Sequence, residues 1–134
     1  MKEYSMISLK RFVLTLALIF LAPLAAQAAD KIMFDAAQFA KAQSDNQSIM
    51  VIVTAPWCPT CKAQKPILDE VTGKPSFKNL KIFEVDFDTR KDVLQDLKVT
   101  MQSTLIIYKG KTEMGRSTGD TKKESIEMLV NKSL

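Results

Sequence analysis

The hydrophobic and polar positions of residues 29–134 predict four β-strands. An uninterrupted apolar run follows a polar Asp-Asn-Gln turn and predicts a buried strand over residues 49–54. A second apolar stretch predicts a strand at residues 82–87. Two further stretches, 104–108 and 113–117, flank a Lys-Gly-Lys turn, as expected for a hairpin.

Helix signals lie between these strands. Asp35 is placed to cap the first predicted helix, with Gln38 closing a capping box. Thr121 and Glu124 form the same pattern before the last predicted helix, and Pro66 lies inside the second. The predicted helices cover residues 36–43, 58–71, 91–97 and a last segment that buries Ile126, Leu129 and Val130. Strands and helices in this order predict an α/β sandwich, a central mixed β-sheet flanked by helices on both faces.

Residues 1–28 carry a different pattern. Basic residues precede an apolar run at 12–22, and the small-x-small segment Ala26-Gln27-Ala28 follows it. This arrangement predicts a secretory signal peptide that is cut after Ala28. The alternative is an uncleaved membrane anchor, but the apolar run is shorter than the ~20 residues that span a bilayer, and Pro23 ends it.

Cleavage at this point leaves residues 29–134 as one small domain. The mature segment holds 16 of the 19 basic and 14 of the 15 acidic residues, so its net charge is only +2. This balance is too mild to indicate binding to nucleic acid or to a membrane surface, and we expect no nucleic-acid partner. The predicted signal peptide is of a bacterial type, which predicts export to the periplasm, a compartment in which disulfides persist.

The only two cysteines, Cys58 and Cys61, lie in the segment WCPTCK, directly after the buried strand and at the start of the second predicted helix. A helix N-terminus carries about half a positive charge and unpaired N–H groups, which favour a thiolate. Such placement can lower a cysteine pKa from about 8.5 to roughly 3.5–7.5. We therefore expect Cys58 to be the nucleophile of a thiol–disulfide site and Cys61, one turn further on, to be the resolving thiol.

The neighbours of the cysteines fit this interpretation. Trp57 offers a flat surface to a partner chain, Pro59 suits the first helical turn, and Thr60 is close enough in sequence to hydrogen-bond a sulfur. Two other interpretations of the cysteine pair stay open, a zinc site and a structural disulfide. Zinc needs four ligands, while this chain offers two cysteines and no histidine. A purely structural bridge would close a very small loop and gain little stability.

Four segments together resemble the thioredoxin family in order and spacing: WCPTCK (57–62), PILDE (66–70), VDFD (85–88) and TLIIYKG (104–110). The resemblance covers nearly all of the predicted mature chain. It implies the thioredoxin fold and dithiol–disulfide exchange at Cys58 and Cys61, with no cofactor beyond this redox-active disulfide and no metal. Together with the signal peptide, the chain is similar to the exported thioredoxin-like proteins of bacteria.

The first departure from the family falls on Ser103, which stands where thioredoxins carry a cis-proline. A cis bond before a non-proline residue costs ~3 kcal/mol, so we expect a trans peptide before Ser103. The resemblance implies that Gln102, Ser103 and Thr104 bind substrate, with the Gln102 backbone pairing with an extended segment. In the family this proline helps to keep metals off the sulfurs, so its loss leaves open a metal shared by the cysteine pairs of two chains.

The second departure concerns proton transfer. Ile52 stands where the family has a buried Asp beneath the resolving cysteine, and Glu84 stands where it has a Lys. Glu84 is then either a solvated surface residue or an acid turned toward Cys61. In the second case its carboxylate takes the Cys61 proton during resolution.

The third departure is Pro59-Thr60 between the cysteines, in place of Gly-Pro. Strongly oxidising relatives have a histidine beside the resolving cysteine, and this chain has none. We therefore expect a monomeric reductant of protein disulfides that exchanges with protein thiols and is kept reduced by a membrane electron donor. The alternatives are a metal-binding or metal-delivery module and a non-catalytic domain that binds partners through Trp57 and Gln102.

Overall fold

The computed structural model describes residues 29–134, so the predicted signal peptide lies outside the described residues. The elements of this part of the chain follow in the order β1 (Asp30–Met33), α1 (Ala36–Ser44), β2 (Ser48–Thr54), α2 (Pro59–Thr72), a short 3-10 turn (Pro75–Phe77), β3 (Lys81–Asp86), α3 (Lys91–Asp96), β4 (Thr104–Lys109), β5 (Thr112–Thr118) and α4 (Lys123–Asn131). The predicted bounds of the four strands and the first three helices agree with these to within one residue. No helix within residues 29–134 has the length and apolar character needed to cross a membrane.

The strands form one mixed sheet in the order β1-β3-β2-β4-β5. Strands β1 and β2 both run parallel to β3, whereas β4 runs antiparallel to β2 and to β5. The sequence analysis missed β1, because this short edge strand is mostly exposed and shows no apolar run. The predicted mixed sheet with a C-terminal hairpin is otherwise confirmed.

Strand β2 is central and buried on both faces, which explains its continuous apolar run. On one face Val51 and Val53 pack with Phe83 of β3 and with buried residues of α1 and α3. On the other face Met50 and Ile52 belong to a second cluster that includes buried residues of α2 and α4. Helices therefore cover both faces of the sheet, as predicted.

The two predicted capping boxes have different outcomes. Asp35 accepts a hydrogen bond from the Gln38 N–H at 2.8 Å and caps α1, as expected, but among the described residues the Gln38 side chain makes no return bond to the Asp35 N–H. The prediction for Thr121 is wrong, because α4 begins at Lys123 without a side-chain cap. Instead, the Asp120 carboxylate accepts hydrogen bonds from the Lys122 N–H and the Ser125 hydroxyl. Asp120 thus forms the turn itself and replaces the cap expected from Thr121.

Candidate redox site

The cysteine pair lies where the loop after β2 enters α2. Cys58 is the N-cap of the helix, and its Sγ accepts a hydrogen bond from the Cys61 N–H at 3.1 Å. Pro59 follows in the first helical turn, as predicted. The Cα atoms of Cys58 and Cys61 lie 5.3 Å apart, and the two sulfurs form a disulfide. The strand-loop-helix arrangement therefore brings both cysteines to the helix start with the geometry that a disulfide requires.

The disulfide is largely covered. Cys58 is 0% exposed and Cys61 is 8% exposed, and both pack with Ala55 and Phe87. Trp57 beside them is 56% exposed, and this leaves its ring open to solvent. Pro59 is also exposed, whereas Thr60 is half-buried. The site therefore offers an open aromatic surface next to sulfurs that are themselves shielded.

The loop after β3 holds this aromatic surface in place. The Asp86 carboxylate accepts hydrogen bonds from the Thr89 hydroxyl, the Thr89 N–H and the Asp88 N–H, and these bonds lower the pKa of Asp86. Asp88 in turn accepts a hydrogen bond from the Trp57 indole N–H at 2.8 Å. The end of β3 thus positions Trp57 through a short chain of hydrogen bonds.

Ser103 lies directly against the two sulfurs. Its Oγ is 3.1 Å from Cys58 Sγ and 3.0 Å from Cys61 Sγ, and the residue is only 2% exposed. Sequence reasoning placed Ser103 among the substrate-binding residues and missed this contact. Thr60, predicted to be close enough to hydrogen-bond a sulfur, makes no such bond within residues 29–134.

The backbone at Ser103 is unusual. Its φ is +60°, a conformation that costs a non-glycine residue roughly 1–2 kcal/mol, and no described residue has a cis peptide bond. The expected trans peptide before Ser103 is therefore confirmed. The Ser103 N–H donates to the Val53 carbonyl at 2.9 Å, and its own carbonyl accepts from the Gly119 N–H at 3.0 Å.

Gln64 supports the same loop from helix α2 and was missed by the sequence analysis. It is 1% exposed, and its Nε2 donates to the carbonyls of Ser103 at 3.2 Å and Asp120 at 2.8 Å. The signal that could have found it is a polar residue within the buried helical stripe of Cys61, Leu68 and Val71.

The other two predicted loop residues have different environments. Thr104 is buried, with its hydroxyl donating to the Met101 carbonyl at 2.8 Å and lying 2.9 Å from the Thr118 hydroxyl oxygen. Gln102 is half-buried, and its backbone makes no hydrogen bond within residues 29–134. Gln102 thus keeps the free backbone groups that strand-like pairing with a partner requires.

Glu84 lies on β3 beside Ile52 of β2, as their register requires. Its carboxylate pairs with Lys31 at 3.0 Å and remains partly exposed. Glu84, Ile52, Cys61 and Lys62 line one pocket of about 290 Å³. No hydrogen bond joins Glu84 to Cys61 among the described residues.

Metal ligands are scarce around the sulfurs. Residues 29–134 contain no group of three or more His, Cys, Asp and Glu side chains that could hold a metal ion. Within the described part of one chain, the cysteine pair therefore supplies only two of the four ligands of a tetrahedral site.

Comparison with known proteins gives a consistent result. The family model described as Thioredoxin matches residues 30–132. The chain is 31% identical over 93 residues to thioredoxin of Bacillus subtilis, covering 69% of this chain and 88% of that protein. It is 32% identical over 93 residues to an H-type thioredoxin of Fagopyrum esculentum, covering 69% and 78%.

Among solved structures, Trxlp from Edwardsiella tarda EIB202 superposes with a TM-score of 0.73 and 36% identity, covering 75% of this chain and 98% of that one. A thioredoxin from Nicotiana alata, NaTrxh, superposes with a TM-score of 0.67. These matches confirm the expected fold. The chain belongs to the thioredoxin family, and with Cys58 and Cys61 at the start of α2 it is a thiol–disulfide oxidoreductase.

Proposed function

We propose that this chain is an exported, periplasmic thioredoxin-like protein that reduces protein disulfides and receives its electrons from a membrane partner. The observation that carries the exchange chemistry is the position of the Cys58 sulfur, which caps α2 and accepts the Cys61 N–H. The positive end of the helix and this N–H both favour negative charge on Cys58 once the disulfide is reduced.

In the proposed reaction the Cys58 thiolate attacks a substrate disulfide and forms a mixed disulfide, and the first substrate sulfur leaves as a thiolate. Cys61 then loses its proton and attacks Cys58 Sγ, which breaks the mixed disulfide and releases the second substrate sulfur. The substrate disulfide gains two electrons, and the Cys58–Cys61 dithiol is oxidised to a disulfide. The proton that Cys61 loses ends, through solvent, on one of the released sulfurs.

Cys58 is 0% exposed in the disulfide form, and with the same residues around it in the dithiol form its thiolate needs a local opening of the site to reach a substrate disulfide. The flanking surface is suited to receive a protein substrate. Trp57 and Met101 are both exposed, and the Gln102 backbone is free to pair with an extended segment. An extended substrate segment that docks here would displace the residues that shield the Cys58 sulfur from solvent.

Glu84 is proposed to accept the Cys61 proton. Both residues line the same pocket, which has room for water to connect them. The ion pair with Lys31 holds the carboxylate at this pocket. The absence of histidine from the sequence supports a reducing rather than an oxidising role, since no imidazolium adds to the stabilisation of the Cys58 thiolate.

Substitution of each cysteine tests the order of attack. We expect Cys58→Ser to lose reduction of a protein disulfide down to the uncatalysed rate. We expect Cys61→Ser to accumulate a mixed disulfide through Cys58, because the resolving thiol is gone. Mass spectrometry of the trapped complex identifies the linked residue, and trapping through Cys61 in Cys58→Ser would reverse the assignment.

The redox potential of the Cys58–Cys61 couple tests the reducing role. We expect a redox potential close to that of thioredoxin, about −270 mV. Equilibration with glutathione or with a thioredoxin of known potential measures it. A value near the about −120 mV of a strong disulfide oxidant would contradict a reductant.

Glu84→Gln tests the proton acceptor. It keeps the shape of the side chain but removes its basicity, so we expect resolution of the mixed disulfide to slow by roughly 10²-fold near neutral pH. The defect should shrink as the pH rises and Cys61 ionises without help. Glu70→Gln is the matched control, because Glu70 is also paired with a lysine, Lys123, and does not line the pocket. Equal rates for both variants would exclude Glu84 from this role.

Export is tested on the full chain expressed in a bacterium with a periplasm. We expect the protein released from the periplasm to begin at Ala29, because the small-x-small site ends at Ala28. Mass spectrometry of the intact protein measures this. A full-length chain retained in the membrane fraction would support the uncleaved anchor instead.

A further inference from the structure

The Ser103 hydroxyl has an uncommon set of neighbours. Within residues 29–134 its hydrogen-bond partners are the two sulfurs, Cys58 Sγ at 3.1 Å and Cys61 Sγ at 3.0 Å. The residue is buried, so solvent reaches this hydroxyl poorly. A hydroxyl carries one hydrogen to donate and two lone pairs that accept.

This hydrogen can serve only one sulfur well at a time. The sulfur of a neutral disulfide is a weak acceptor, whereas a thiolate is a strong one, because hydrogen bonds to charged groups are shorter and stronger. When the disulfide is reduced to a Cys58 thiolate and a Cys61 thiol, the three groups become complementary. Cys61 S–H can donate to Ser103 Oγ, and the Ser103 O–H can donate to the Cys58 thiolate.

We propose that Ser103 is a catalytic residue whose hydroxyl donates a hydrogen bond to the Cys58 thiolate in the reduced protein and accepts a hydrogen bond from the Cys61 thiol. It adds a second donor to the Cys58 sulfur, beside the Cys61 N–H. The inference rests on the proposed role of Cys58 as the attacking residue.

The loop is built so that this hydroxyl stays in place. Bonds from the Ser103 N–H to Val53, and from Gly119 and Gln64 to the Ser103 carbonyl, fix both sides of the residue. These bonds hold a backbone with φ of +60°, which glycine would adopt without strain. The backbone conformation therefore does not favour serine at this position. What serine adds here is the contact of its hydroxyl with the two sulfurs.

Two substitutions separate the hydroxyl from the backbone. Ser103→Ala removes the hydroxyl and keeps the strain, whereas Ser103→Gly removes the hydroxyl and relieves the strain. The two variants should therefore differ in stability, with Ser103→Gly at least as stable as Ser103→Ala in urea unfolding. Any property that depends on the hydroxyl should change alike in both.

The test is the pKa of each cysteine in the reduced full domain, measured from the pH dependence of alkylation with the modified residue identified by mass spectrometry. We expect the pKa of Cys58 to rise by about one unit in both variants, a tenfold loss of thiolate in favour of thiol. The reduced form is then less favoured. The potential should become more negative by about 30 mV for a tenfold change in the dithiol–disulfide equilibrium.

A Cys58 pKa that is unchanged or lowered in both variants would overturn the proposal, as would a potential that stays or rises. A shift in Ser103→Ala that is absent from Ser103→Gly would assign the effect to the backbone and overturn it as well. These failures leave the proposed function intact if the wild-type chain still reduces disulfides and Cys58→Ser does not. Trapping of substrate on Cys61 would instead show that the proposed order of attack is wrong.

Discussion

The hydrogen bond from the Cys61 N–H to Cys58 Sγ is the interaction on which the chemistry of this protein depends. It exists because the Cys58 side chain occupies the N-cap of α2, where a backbone donor is otherwise unpaired. That position is fixed by β2, which is buried on both faces and ends four residues before the cysteine. The core therefore sets the place of the sulfur, and the helix start sets its electrostatics. The packing on the two faces of the sheet contributes to function by keeping this junction in place.

Much of this framework could be predicted from local sequence signals. The apolar run of β2 predicts a central strand, and the Cys-x-x-Cys spacing at a helix start predicts the pairing of Cys58 with Cys61, because both depend on neighbouring residues alone. Strand β1 could not be predicted in this way. It is short and exposed, and only its pairing with β3 makes it a strand. The cap at Thr121 failed because Asp120, one residue earlier, competes for the same turn.

The loop contacts of the site were beyond sequence reasoning for a different reason. Ser103 lies 45 residues from Cys58 and 42 from Cys61, and its hydroxyl reaches the sulfurs only after β4 has paired with β2. The family pattern identified the position but assigned it to substrate binding, since proline offers no hydroxyl there. Gln64 shows the same limit, because its two carbonyl partners belong to separate loops that meet only in the folded protein. Resemblance can thus locate a departure from a family, whereas its consequence depends on three-dimensional contacts.

The donors around Cys58 also decide how the site balances two demands. Each donor that stabilises the thiolate increases the fraction of Cys58 ready to attack, but it also favours the dithiol and so weakens the protein as a reductant. It lowers the intrinsic nucleophilicity of the sulfur as well, since nucleophilicity falls with thiol pKa. A neutral hydroxyl is a milder donor than an imidazolium, which would add a full positive charge. If Ser103 donates to the Cys58 thiolate as proposed, the sulfur is stabilised by the start of α2 and by neutral donors, without the full positive charge of an imidazolium, and such a site keeps more reducing power than one with a charged partner.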